Sequence, residues 1–145
     1  MALFQLSSAI KGILEGMNNQ HKVARLHLST DESLSRPAWS QIESAIRGLD
    51  GARNSLITLT IGEPVPHMAI GGGPERYIVY ITFDNKSFPT LADPTLGPGM
   101  IELVAGGQRG KYQKKNAVSL AFALQAAKVF ALSGTLDSAL TWDTK

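Results

Sequence analysis

Cysteine is absent from all 145 residues, which removes disulfides, thiolate metal ligands, cysteine nucleophiles and thiol redox chemistry together. Long apolar runs are missing too. Lys11 and Glu15 interrupt the stretch carrying Leu3, Leu6, Ile10, Ile13, Leu14 and Met17, whereas a membrane span needs roughly 18 consecutive apolar residues. No positively charged segment precedes that stretch and no clear small-residue cleavage site follows it, so it does not read as a secretion signal. Its helical spacing predicts an amphipathic helix, docked on its own domain or else serving as a membrane-surface or dimer helix. Charge of one sign is also scarce. The formal net charge is +2, too little for a duplex-binding field unless the cations converge on one face.

Glycine is plentiful, and it falls in two clusters: Gly71-Gly72-Gly73-Pro74 and Gly106-Gly107-Gln108-Arg109-Gly110. Each ends a β-like apolar run. A phosphate-binding loop needs a strand, then glycines, then a helix N-terminus facing the phosphates. Here Tyr77 to Phe83, a strand pattern, follows the first cluster. Both clusters therefore read as tight turns, using the positive φ that glycine reaches without steric penalty.

The remaining pattern is α+β. Lys22 to Leu28 alternates and predicts a strand, and Ser35-Arg36-Pro37 predicts a helix start with a capping hydroxyl. Trp39, Ile42, Ile46 and Leu49 form one apolar helical stripe, ending at Asp50-Gly51 with glycine as a left-handed cap. Ser55 to Ile61, His67 to Ile70, Tyr77 to Phe83 and Met100 to Ala105 read as strands, with a short one at Phe88 to Leu91. No helix separates them, so antiparallel pairing is expected. Ala117 to Leu132 is apolar almost all round, leaving a narrow stripe through Gln125 and Lys128. It predicts a central, largely buried C-terminal helix with Asn116 as N-cap and Gly134 at C′. The expectation is a single domain over 1–145, a mainly antiparallel sheet packed against two or three helices, with 1–30 as an N-terminal extension.

Catalytic machinery is hard to find in this chain. His21, His27 and His67 show no metal-ligand spacing, and no serine stands in a Gly-x-Ser-x-Gly elbow. His67 with nearby Glu63 is the one acid–base pair that can be drawn, though a partly exposed strand histidine explains the position equally simply. Asp84, Asp93 and Glu102 read as turn or solvent-face carboxylates. A basic segment, Arg109, Lys111, Lys114 and Lys115 around Tyr112, reads as a loop before the last helix. It suits a solvated loop, a protein contact, or a nucleic-acid site in which the cations bind phosphate and Tyr112 stacks a base.

Several segments taken in order resemble a known family. They are Trp39-x-x-Ile42 with Leu49-Asp50-Gly51, Met68-Ala-Ile-Gly-Gly-Gly-Pro-Glu-Arg-Tyr77, Gly99-Met-Ile-Glu-Leu-Val-Ala-Gly-Gly-Gln108, and Ala126-Ala127-x-x-Phe130-x-x-x-Gly134-x-Leu136-x-x-x-Leu140-x-Trp142. Over residues 37–142 the chain resembles the Immunity protein 1 family of bacterial polymorphic toxin systems. The resemblance implies a non-enzymatic, cytoplasmic α+β protein, without cofactor or metal, that binds and blocks the C-terminal effector domain of a cognate toxin. Such toxins are often nucleic-acid deaminases, whose target base must enter a tight pocket that a bound partner can occlude. Trp39, Phe130 and Trp142 then read as apolar anchors. The residues expected to meet the toxin are Glu75, Arg76 and Tyr77 after the first glycine turn, and Arg109, Lys111 and Tyr112 after the second. With no acidic run in the sequence, occlusion by shape and local ion pairs is expected rather than mimicry of DNA charge.

Overall fold

A computed structural model describes residues 21–144. The amphipathic N-terminal segment expected over Leu3 to Met17 lies outside the described residues. The alternating run after Asn54 forms β3 (Leu56–Thr60), with Ile57 and Leu59 in the core and the intervening threonine half-buried. Its neighbours are β1 (Arg25–Leu28) and β4 (His67–Gly72), both antiparallel to it. On β1 the pattern holds, since Leu26 is buried while Arg25 and His27 face outward. β2 (Ser33–Ser35) pairs with β1 and forms one edge. From β4 the sheet continues through β5 (Tyr77–Thr82), β6 (Thr90–Ala92) and β9 (Thr141–Asp143), giving the order β2-β1-β3-β4-β5-β6-β9. Every pairing is antiparallel; β3 to β6 follow one another through short helix-free connections, whereas α1 lies between β1 and β3 and α2 between β6 and β9.

Two α-helices among the described residues contribute to the main core. The stripe on α1 (Trp39–Arg47) buries Ile42 and Ile46, with Leu49 just beyond. On α2 (Leu120–Ser133), Ala123, Ala126, Ala127, Phe130 and Ala131 are buried. Its exposed stripe runs through Ala121, Gln125, Lys128 and Leu132, at helical spacing. The small alanines let α2 lie close to the sheet while Phe130 fills the space between layers. Trp39 and Trp142 are half-buried and pack against this core, and Lys128 Nζ stands 5.8 Å from the Trp39 ring centroid.

Several local expectations are corrected. Met100–Ala105 (β7) does not join the main sheet. It pairs with β8 (Gln108–Gln113) in a separate two-stranded hairpin, so Arg109, Lys111 and Tyr112 belong to a strand rather than a loop. Gly106 and Gly107 have φ of +62° and +77°, the double positive φ of a type I′ turn, which directs the chain straight back along β7. Lys114 and Lys115 follow in a short 3-10 turn, Lys114–Asn116. Gly71 and Gly72 lie within β4, so the first turn proper spans 73–76.

Helix boundaries move as well. Ser35 is in β2, and α1 starts after Ala38, whose N–H donates to Gln41 Oε1 at 2.8 Å. Its C-cap is Gly48 in a right-handed conformation, whereas Gly51 takes the positive φ further on. The N-cap of α2 is Ser119, whose Oγ accepts from Phe122 N–H at 3.3 Å. Asn116 is buried elsewhere: its Nδ2 donates to Leu91 O and to Asp143 Oδ2, both at 3.1 Å. Lys115 Nζ meets that same carboxylate at 3.1 Å. Asn116 thereby ties β6 and β9 to the chain entering α2.

Candidate partner-binding site

Glycine geometry draws the two turn segments to one side of the molecule. A Cβ on Gly73 (φ +88°) would stand 2.3 Å from Leu49 O, and one on Gly51 (φ +68°) would stand 2.3 Å from Gly73 O. Only glycines let the 73–76 turn press on the chain leaving α1. The hairpin is fastened beside them. Gly106 N–H donates to Ser55 O at 3.3 Å and Gly107 N–H to Ser55 Oγ at 2.8 Å, and beyond the hairpin's other end Asp93 N–H donates to Lys115 O at 2.8 Å. Between these segments runs an open groove of about 460 Å³, lined among others by Asp50, Gly73, Pro74, Glu102, Val104 and Arg109.

Of the six expected contact residues, Arg109 lines this groove and the other five do not. Glu75 is exposed beside Pro74. Arg76 is half-buried, and its Nη1 donates to Ala117 O at 3.3 Å. Tyr77 is 1% exposed; its hydroxyl donates to Pro74 O at 2.8 Å, and burial pushes the phenol pKa up. Its main chain exchanges two hydrogen bonds of 2.9 Å with Val118. Tyr77 is therefore a core prop for the turn and has almost no surface to offer a partner, a correction to its expected contact role. Arg109 and Lys111 are exposed on β8, with Lys111 directly opposite Glu102 and Arg109 Nη1 3.8 Å from Glu102 Oε2. Such an exposed pair contributes little stability, about 0–1 kcal/mol, and leaves Arg109 available to another carboxylate.

Tyr112 is half-buried, with its ring over Gly110, where an added Cβ would come 3.1 Å from the phenol oxygen. Strand alternation puts Gly110 and Tyr112 on one face and Arg109 and Lys111 on the other. A base stacked on Tyr112 would thus sit across the strand from those cations, and Lys115 is already engaged by Asp143. The acid–base pair is not assembled either. His67 Nδ1 is bonded to Pro64 O at 2.8 Å, and its ring meets Tyr80 edge-on at 5.9 Å. No hydrogen bond or ion pair joins His67 to Glu63 among the described residues.

The profile of the family Immunity protein Imm1 matches residues 30–144. The chain belongs to the Imm1 immunity-protein family. Membership indicates an immunity protein with a toxin as partner, in a family that is generally non-enzymatic. No curated protein matches the chain. No helix among the described residues is long and apolar enough to cross a membrane. The Imm1 match begins at Thr30 in the β1–β2 turn, yet β1 itself is an interior strand of the sheet.

Two acidic wall residues of the groove escaped identification as site residues in the sequence. Asp50 follows α1, and Glu102 reads as a solvent-facing strand residue; only the hairpin register sets Glu102 against Lys111. Asp50 Oδ1 accepts from Ala52 N–H at 2.8 Å and Asn54 N–H at 3.0 Å, and these bonds hold its carboxyl below the usual carboxylate pKa. A depressed native pKa means that Asp50 stabilises the loop fully above its unfolded pKa and loses that contribution as pH falls through the native value. Asp50→Ala should therefore unfold at lower urea than the parent at neutral pH, with the gap closing under strongly acidic conditions. A gap that stays constant in a pH series of urea melts would contradict this linkage.

Proposed function

We propose that this immunity protein neutralises the C-terminal effector domain of a cognate polymorphic toxin, a nucleic-acid deaminase, by covering its active site in the bacterial cytoplasm. The Imm1 match over residues 30–144 carries the reading. The groove between the 73–76 turn and the β7–β8 hairpin supports it, because its wall carries exposed Arg109 beside Asp50 and Glu102, with Glu75 exposed next to its Pro74 and Lys111 exposed on the same strand as Arg109. A rigid surface of this kind inhibits by occupying the strand or base entrance of the enzyme, and needs no chemistry of its own.

Coexpression with the C-terminal domain of the toxin encoded beside it should give a copurifying complex and protect the host cell. Absence of both would reject the reading for that pair. Reversing the exposed hairpin charges in the double variant Arg109→Glu/Lys111→Glu should weaken the complex by roughly tenfold to a hundredfold, with a milder salt dependence or one of opposite sign. Calorimetric titration at two ionic strengths measures both effects.

A further inference from the structure

The edge strand β2 is guarded by its shortness, three residues, and by the charges that flank it, but by nothing within the strand itself. It has no lysine, proline or bulge; all three residues, Ser33, Leu34 and Ser35, are exposed, and Leu34 retains 40% of its surface. Hydrogen bonds from Leu28 N–H to Glu32 O and from Arg36 N–H to Ala24 O, both 2.8 Å, fix the alternation toward β1. Leu34, in register with Leu26, therefore directs its main chain at β1, whereas the N–H and C=O groups of Ser33 and Ser35 point outward. On the helix-bearing face, Leu34 overhangs a groove of about 770 Å³ between the β1–β2 hairpin and α1, floored by Leu26 and Leu28 and walled by Ala45.

Flanking charges determine what fits this edge. Glu32 and Arg36 are exposed, bracket the strand symmetrically about Leu34, and take part in no ion pair among the described residues. The segment Glu32-Ser33-Leu34-Ser35-Arg36 is complementary to itself when reversed.

We propose that this edge is the interface for a second copy of the chain, with the two β2 strands antiparallel about a twofold axis at Leu34. In that register Ser33 faces Ser35 of the second copy as a hydrogen-bonded pair, and Ser35 faces Ser33 likewise. The outward main-chain groups are thus the ones that become satisfied. Leu34 faces its own copy as a non-hydrogen-bonded pair, where side chains approach most closely. Glu32 faces Arg36 of the second copy at each end. The contact is isologous and closed, so it stops at two copies. Three paired residues make a small interface, and the dimer is a weak, concentration-dependent one. This association is a property of the chain alone and does not depend on the toxin reading.

Sedimentation equilibrium of the full chain without toxin, from micromolar to sub-millimolar concentration, should show a monomer–dimer equilibrium. Leu34→Lys, which sets like charges face to face at an exposed position, should weaken it by roughly tenfold or more with unchanged circular dichroism. Glu32→Arg should also weaken association, and the double variant Glu32→Arg/Arg36→Glu should restore it, a rescue that a merely structural role would not produce. Because the chain lacks cysteine, Leu34→Cys offers a single thiol, which should give a covalent dimer on mild oxidation. A chain that remains monomeric throughout, or dimers indifferent to Leu34→Lys, would overturn the proposal. So would a monomer whose toxin binding is lost on Leu34→Lys, since the edge would then belong to the toxin.

Discussion

Gly73→Ala is expected to lower the free energy of unfolding by about 2–4 kcal/mol, read as a reduced urea midpoint with unchanged slope. Two effects combine at this position. Its φ of +88° is unfavourable for any L side chain, and the new methyl would meet backbone, Leu49 O at 2.3 Å and Leu49 C at 2.6 Å. A backbone oxygen cannot rotate away, so relief requires parting the 73–76 turn from the chain leaving α1. Gly107 separates the two effects. Its φ is +77°, but nothing lies within 4 Å of its Cβ position, so Gly107→Ala should lose only the left-handed backbone preference, about 1 kcal/mol. Equal losses at the two glycines would mean that the close approach to Leu49 is unimportant. Parting the turn from α1 also opens the groove wall at Pro74, so Gly73→Ala should weaken toxin binding even where the variant is still folded. Gly107→Ala should bind normally.

The second large effect is expected at Phe130. It is fully buried on α2 among Ala123, Ala126, Ala127 and Ala131, and its ring supplies most of the bulk that the alanine face lacks. Phe130→Ala removes that ring where the other buried residues of the same helix are alanines, so α2 itself offers no larger side chain to fill the cavity. A loss of about 3–5 kcal/mol follows, a large share of the 5–15 kcal/mol that stabilises an ordinary domain. Phe130→Leu should recover most of it. Thermal and urea melts of the three proteins test this. A loss below about 1 kcal/mol for Phe130→Ala would show that α2 settles onto the sheet without its anchor.

The strands and helices that bury one clean stripe were legible from spacing alone: Ile42, Ile46 and Leu49 on the first helix, and Ile57 and Leu59 on β3. β8 was not legible, because Gln108-Arg109-Gly110-Lys111-Tyr112-Gln113 has no apolar alternation. Its strand character comes from the preceding Gly106-Gly107 turn and from pairing with β7, which is a nonlocal cause. The same holds for Asn116. A polar residue just ahead of an apolar helix reads as a cap, but its amide is used across the fold at Leu91 and Asp143. Of the contact residues, Tyr77 illustrates the ambiguity best. One position after an exposed turn, strand alternation alone decides whether a tyrosine faces solvent or core, and here it faces the core.

Ser55 holds the tip of the β7–β8 hairpin through its carbonyl and hydroxyl, while just past the base Lys115 accepts from Asp93 N–H through its carbonyl and meets Asp143 through its ammonium. A ribbon clamped at both ends cannot swing over a ligand as a lid does, so on the proposed toxin-binding reading the backbone that carries Arg109 and Lys111 is in place before a toxin arrives. Docking of that kind would require little ordering of the main chain, and the two exposed cations would act mainly during the approach. Their removal should be felt chiefly in the association rate, whereas loosening the clamp at Ser55 should shorten the lifetime of the complex once formed.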